Sequence, residues 1–430
     1  MVLTCINAHG DLLAEAVGYR LETTMSLYAR VPLISALLMA ALACTSAGAA
    51  DTDSPPQRLS FEWNARARFE SVDDAAFAKD AQLLSVRQRA GIRLRANANF
   101  SALVEGEWVA TAGDDFNSGA NGRIDRPAII DPRGVELNQA WIGWNDGPFK
   151  AMLGRQRILI DNQRWIGNSG WRQNEQTFDA SVFEWQPSPA FALQHVFFDR
   201  VHRINGDDAR DPLARERELS SHLVDLRVVQ AGQNWGAYVL AHDDQDVAAA
   251  STQTLGARWN GKHVIGAHAW NWRIDLAQQQ DYGDNPANFS HQYWLLESGL
   301  NFGRVNWRAG YEHLGGDGRH ALQTPLATLH AFNGWADRFL VTPADGLEDR
   351  YLGAGGALGQ GERSAKMQWA LTWHDLRADH GHAHYGSEWN ASLSFPIAGK
   401  LTALAKLADY SADEFSRDST KFWLQLEWAL

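Results

Sequence analysis

Apolar and polar residues alternate from Leu59 onward. Leu59, Phe61, Trp63, Ala65, Ala67 and Phe69 occupy odd positions, with Ser60, Glu62, Asn64, Arg66, Arg68 and Glu70 between them. Successive strand residues face opposite sides, so this segment predicts a strand with one apolar and one ionic face. The next segment repeats the pattern: Leu84, Val86, Ala90, Ile92, Leu94 and Ala96 stand against Arg87, Arg89, Arg93, Arg95 and Asn97. Four arginines on one strand face cannot enter a dry core. That face must look into water, and the apolar face into something that is not water.

Continued along the chain, the pattern predicts strands near 59–70, 82–96, 100–110, 135–144, 149–158, 176–185, 190–199, 221–229, 234–242, 252–259, 264–273, 291–301, 305–314, 350–358, 364–374, 387–395, 401–409 and 420–430. Each is close to the roughly 9–11 residues that cross a bilayer at a tilt. Every second connection is tight: Asn97–Asn99, Asn145–Pro148, Gln186–Pro189, Gln230–Gln233, Asn260-Gly261, Phe302–Arg304, Gly359–Glu362 and Pro396–Lys400. The connections between are mostly longer, notably 111–134, 159–175, 200–220, 274–290 and 315–349. A soluble sandwich or propeller has no reason to alternate long and short loops, whereas outer-membrane barrels do. The terminal run Phe422, Leu424, Leu426, Trp428 and Leu430 is apolar at even positions, as a closing strand requires. The expected fold is therefore all-β: a transmembrane antiparallel β-barrel of about 18 strands, with long extracellular loops and short periplasmic turns.

Composition fits once the barrel is in view. The 430 residues are 45% hydrophobic and 21% charged, with 19 Trp, 18 Phe and 9 Tyr. Mean hydropathy is −0.35, and the longest apolar run, Val31–Ala43, is short of the roughly 20 residues of a spanning helix. The run is preceded by Arg30 and followed by Ala47-Gly48-Ala49, which reads as a secretory signal over Met25–Ala50. The expected organisation is thus 1–49 as N-terminal extension and cleaved signal peptide, and 50–430 as barrel, with Met1 or Met25 as the start. Cys5 and Cys44 both fall in the removed segment, which leaves no thiol and no disulfide. Removing Asp11, Glu15, Glu22, Arg20 and Arg30 changes the net charge from −12 to −11.

A barrel of 16–18 strands leaves an aqueous channel unless loops fill it. Two long loops look built to enter it. The first, Asp161–Glu175, is dense in amides, arginine and Trp, including Asn162, Arg164, Trp171, Arg172, Asn174 and Glu175. Amides hydrogen-bond hydroxyls in both directions, Arg forks onto carboxylates, and Trp stacks on sugar faces. The second, 315–349, carries apolar residues such as Leu326, Leu329, Phe332 and Trp335, the sign of an ordered loop. Arg87, Arg89, Arg93 and Arg95 form an acid-free row, and Arg155, Arg157, Arg164 and Arg172 gather around the first loop. Rings of Arg are the physical route to anion selectivity. The competing expectation is that these arginines pair with lumen carboxylates such as Glu105, Glu107 and Glu136 and only stiffen the wall.

The runs Gly154-Arg155-Gln156, Asp161–Arg164, Gly170–Ala180, Gln323–Thr328, Asn333–Asp337 and Gly346–Asp349, with Glu136–Trp141, resemble the alginate export family. The resemblance spans nearly all of the chain after the signal. It implies a monomeric eighteen-stranded outer-membrane barrel with a basic, loop-gated lumen, through which alginate, an anionic uronic-acid polymer, leaves by diffusion. Expected partners are outer-membrane lipid, an anionic sugar polymer or oligomer as cargo, and periplasmic export or degradation proteins; no nucleic acid and no cofactor is expected. A specific porin taking up oligosaccharides or small organic acids would share the architecture, since fold does not fix function.

An outer-membrane hydrolase or lyase is the rival class. No G-x-S-x-G, H-E-x-x-H or P-loop motif occurs, so no catalytic residue and no enzyme is expected. His374, Asp379, His380, His382 and His384 are metal-ligand types, but a glycine-containing loop tip gives them no fixed geometry, and a plain polar loop is the expectation.

Overall fold

Residues 58–359 and 366–429 are described by a computed structural model. The expected signal segment, Cys5, Cys44, the 49/50 boundary and turn residues 360–362 lie outside them.

Eighteen strands form one antiparallel sheet in which each strand pairs with its neighbours in sequence. They are β1 (Leu59–Asp74), β2 (Ala81–Arg95), β3 (Phe100–Ala112), β4 (Gly134–Asp146), β5 (Phe149–Gln156), β6 (Thr177–Ser188), β7 (Phe191–His202), β8 (Glu216–Gln230) and β9 (Gln233–His242). They continue with β10 (Thr252–Ile265), β11 (His268–Asp281), β12 (Ser290–Phe302), β13 (Val305–Leu314), β14 (Leu347–Ala357), β15 (Gln368–Arg377), β16 (His384–Ala398), β17 (Leu401–Ala412) and β18 (Ser419–Ala429). β18 also pairs with β1, from Asn64 opposite Ala429 to Asp74 opposite Ser419. The sheet closes on itself, so no edge is left unpaired.

Alternation sets the two faces. On β2, Leu84 and Ile92 face outward and are exposed, while Arg87 and Arg89 face inward and are buried. On β18, Phe422, Leu424 and Leu426 face outward while Lys421, Trp423 and Gln425 are buried inside. Many tryptophans lie on the outer face near the short-turn end, where Trp235 stacks on Trp259 at 5.0 Å and Trp63 meets Trp428 edge-on at 4.2 Å. Such amphipathic rings suit the membrane–water interface.

Turns follow their residues, although the strands before the expected turns Gln186–Pro189 and Pro396–Lys400 run on to Ser188 and Ala398, and one expected turn lies wholly inside a strand. Ala231 and Gly232 both have positive φ, +51° and +74°, the geometry of a two-residue hairpin turn between Gln230 and Gln233. Asn260-Gly261, expected to turn, instead continues β10, and the chain reverses between Ile265 and His268. Gly261 is needed there for room: a Cβ would lie 2.5 Å from the Trp272 indole on the neighbouring strand. A glycine inside a strand marks a close approach as readily as a turn.

Candidate functional site

The core of the molecule lies inside the barrel, where two long loops pack against the inner wall. Loop 157–176 joins β5 to β6, and loop 315–346 joins β13 to β14. Ile158, Ile160, Trp165 and Ile166 from the first form one buried cluster with Leu322, Leu326, Ala336 and Phe339 from the second. The cluster extends onto inward wall residues Phe178, Val196, Tyr238, Tyr293 and Trp423. The loops are also bonded to each other. Gly167 N–H donates to the Leu326 carbonyl at 2.9 Å, Thr328 N–H to the Gln163 carbonyl at 3.1 Å, and Gln176 Nε2 to Leu326 O at 2.9 Å. They form one plug.

Around this plug the expected site arginines are almost all paired. Arg87, on β2, reaches Asn64 and lies 3.3 Å from Glu427. Arg89 pairs with Glu107 on β3 and with Glu175 of the first loop at 3.1 Å. Arg93 meets Glu62 at 2.5 Å, and Arg95 is exposed near the short-turn end with no side-chain partner among the described residues. Arg157 joins Glu175 and, at 2.7 Å, Glu105. Arg164 lies 3.0 Å from Glu312 and Arg172 2.8 Å from Asp337. Asn174 donates to Glu136 at 3.3 Å, and the Asn162 side chain accepts the Arg164 N–H at 3.2 Å, capping a turn.

Arg155 is placed elsewhere than the sequence reading put it. It stands opposite Ala140 and Asp179, on the same strand face as outward Leu153. There it pairs with Asp179 at 2.9 Å, which also holds His202 at 2.9 Å. Parity along Leu153, Gly154 and Arg155 carries this signal in the sequence, since alternate residues share a face.

Several participants were not singled out from sequence. Arg66 on β1 donates to the carbonyls of Gly170, Trp171 and Arg172 at 3.0–3.3 Å. Arg68 donates to Trp171 O at 2.5 Å and Gln425 at 2.8 Å, and pairs with Asp131 at 3.4 Å. Asp131 belongs to a third loop, 113–133, and accepts the Gln173 N–H at 2.8 Å. Trp171 stacks on His330 at 4.8 Å, with Arg68 and Lys406 each 4.0 Å from its ring. Its faces are occupied by the protein's own groups.

Charges on the loops are tuned by this packing. Burial pushes His330 down to about 3, outweighing the nearby Asp337 carboxylate. Burial would raise Asp337, but His330, Lys421 and Arg172 around it hold it well below the usual carboxylate range. Burial likewise opposes ionisation of Glu175, and Arg89, Arg157 and Asn138 reverse that effect.

Below the plug, on the short-turn side, a cavity of about 470 Å³ lies against β6–β10. Asp161, Glu184, Asp225, Arg227, Arg258 and Asn260 are among its lining residues. Arg258 holds Asp225 at 2.5 Å, and Arg273 pairs with Asp161. His374 and His384, two of the metal-ligand types noted over 374–384, are held by different carboxylates. His374 faces inward onto Asp349 at 2.9 Å, and His384 bridges Asp375 and Asp413 at 2.9 and 3.0 Å.

The sequence model described as alginate export matches residues 57–334. No curated protein sequence matches this chain. Among solved structures, Pseudomonas aeruginosa OpdO is similar with a TM-score of 0.69 at 12% identity, over 87% of this chain and 97% of that one. P. aeruginosa OpdK, solved with vanillate, gives 0.69 at 14% identity over 86% and 98%. Acinetobacter baumannii OccAB4 gives 0.68 at 12% identity over 88% and 100%. At such identities the likeness concerns the barrel itself.

Proposed function

The chain belongs to the alginate export family and forms an outer-membrane barrel channel, and from that premise we propose that it passes anionic, uronate-type polysaccharide or oligosaccharide by passive diffusion when the plug is displaced. One observation carries the reading. Arg66, Arg68 and Arg89 form an inward comb on β1 and β2, and the loops supply most of its acceptors: the carbonyls of 170–173, Glu175 and Asp131. The loops thus fill the comb with the groups a uronate would present, a carboxylate flanked by neutral oxygens. Withdrawal of the plug would leave planar donors suited to bidentate carboxylate binding. Several weak sites in series favour passage over capture.

Planar-bilayer recording tests this. Conductance should prefer anions and be blocked by oligouronates, with block weakened at least tenfold in Arg66→Gln/Arg89→Gln. Arg155→Gln, on the outer face, should leave block unchanged. Cation preference, or no block by any acidic sugar, would defeat the proposal. The cavity of about 470 Å³ favours one other reading, uptake of small organic acids. It predicts block by aromatic or aliphatic monocarboxylates instead. Uronate cleavage by the purified barrel, abolished by a His or Tyr substitution, would establish an enzyme and sink both.

A further inference from the structure

We propose a divalent metal site at the extracellular root of the plug, formed by His313, Glu348 and Asp379. It does not depend on the cargo. His313 is the penultimate residue of β13 and Glu348 the second of β14, directly opposite it in register. They therefore flank the two ends of loop 315–346. Asp379 comes from the next connection, 378–383, and its Oδ2 accepts the Gly316 N–H at 3.0 Å. One ligand atom from each of the three residues lies within 4.8 Å of the other two.

The imidazole points to a ligand. Its Nδ1 is buried and makes no hydrogen bond, yet the side chain is only 6% exposed. Trp294 stacks on the ring at 4.0 Å and fixes its plane. The Nδ1 is directed at Asp379 Oδ1, 3.9 Å away, too far for a hydrogen bond. A buried polar nitrogen without a partner is costly, and a metal ion is a partner that satisfies it together with two carboxylates. One nitrogen and two carboxylates suit a borderline first-row cation, Zn²⁺ above all, rather than Ca²⁺, which takes about six to eight oxygens. Ligands about 2.0–2.2 Å from Zn²⁺ stand roughly 3.3–3.6 Å apart in a tetrahedron, so from separations of up to 4.8 Å the cluster needs to close by about 1.5 Å at most. Arg350 holds only Oε2 of Glu348, at 2.8 Å, leaving the other oxygen free of it. Bound metal would tie both roots of the plug to the neighbouring loop.

The test uses the whole purified barrel in detergent after EDTA dialysis, titrated calorimetrically with Zn²⁺. One saturable site per chain is expected, weakened at least tenfold in His313→Ala and in Asp379→Asn. Both variants must still show the heat-modifiable migration of a folded barrel, and His380→Ala should bind as the parent does. Zn²⁺ should also slow proteolysis within 315–346 in the parent alone. No saturable uptake by the folded parent, uptake unchanged in folded His313→Ala, or loss of uptake in His380→Ala would each overturn the proposal.

Discussion

One carboxylate, Asp337, holds the tip of the plug to the wall. It receives Arg172 at 2.8 Å, His330 Nδ1 at 2.7 Å and Lys421 at 3.1 Å. Lys406 completes the cluster, 2.7 Å from His330 Nε2 and over the Trp335 ring at 3.7 Å. Removing the anion strands buried cations, a change that costs about 3–5 kcal/mol. Asp337→Ala should therefore raise channel open probability several-fold, and bilayer recordings showing the parent's gating would contradict this. The same cluster makes the plug acid-sensitive. His330 is depressed to about 3 when docked, so a released loop binds a proton more readily than a docked one. The His330 contribution to docking is then fully present above about pH 6.5 and is lost progressively as pH falls from there toward 3. Asp337, also depressed, acts in the same direction below about 3.8. Opening should be more frequent at pH 5 than at pH 7.5, and His330→Gln should remove most of that difference.

Between the residue and the barrel stand the loops, and here the plug behaves as one piece. Arg338 pairs with Asp74 at 2.8 Å, and Phe339 stacks on Phe415 at 5.3 Å, so loop 315–346 is held to the rim as well as to loop 157–176. Gly316 and Gly346 lie side by side at its roots, so residues 317–345 can be excised without a long linker. The excised barrel should conduct several-fold more, and residues 157–176 should become protease-sensitive once Gly167 and Gln176 lose the Leu326 carbonyl. Unchanged conductance would show that the second loop is not part of the barrier. The strands and the two entering loops were legible in the sequence because period two and loop length are local signals. The plug's partners were not. Arg68 finds Asp131 and Arg89 finds Glu175 across 63 and 86 positions, respectively, and no pattern along either strand specifies such a match. Trp171 read as a sugar platform because its type is visible, whereas the His330, Arg68 and Lys406 that cover it come from three other segments.

At the scale of the whole molecule, closure and plugging share one strand. β18 completes the wall between β17 and β1. Its inward residues also face the plug: Lys421 holds Asp337, Trp423 meets Trp171 at 5.7 Å, Gln425 holds Arg68, and Glu427 holds Arg66 at 3.1 Å. A chain ending at 418 would leave β1 and β17 with unpaired edges, which lipid cannot satisfy. It should give no heat-modifiable, detergent-resistant species on electrophoresis. Glu427→Ala separates the two roles, because the ladder with β1 is made by backbone groups and survives the change. That variant leaves Arg66 and Arg87 without their shared carboxylate on the lumen side. A net charge of −12 says nothing about that wall, since pore selectivity follows the local charge lining the path. Under a salt gradient, the reversal potential of Glu427→Ala should shift toward greater anion preference than the parent's. An unshifted potential in a folded variant would mean that ions do not pass along the β1–β2 comb.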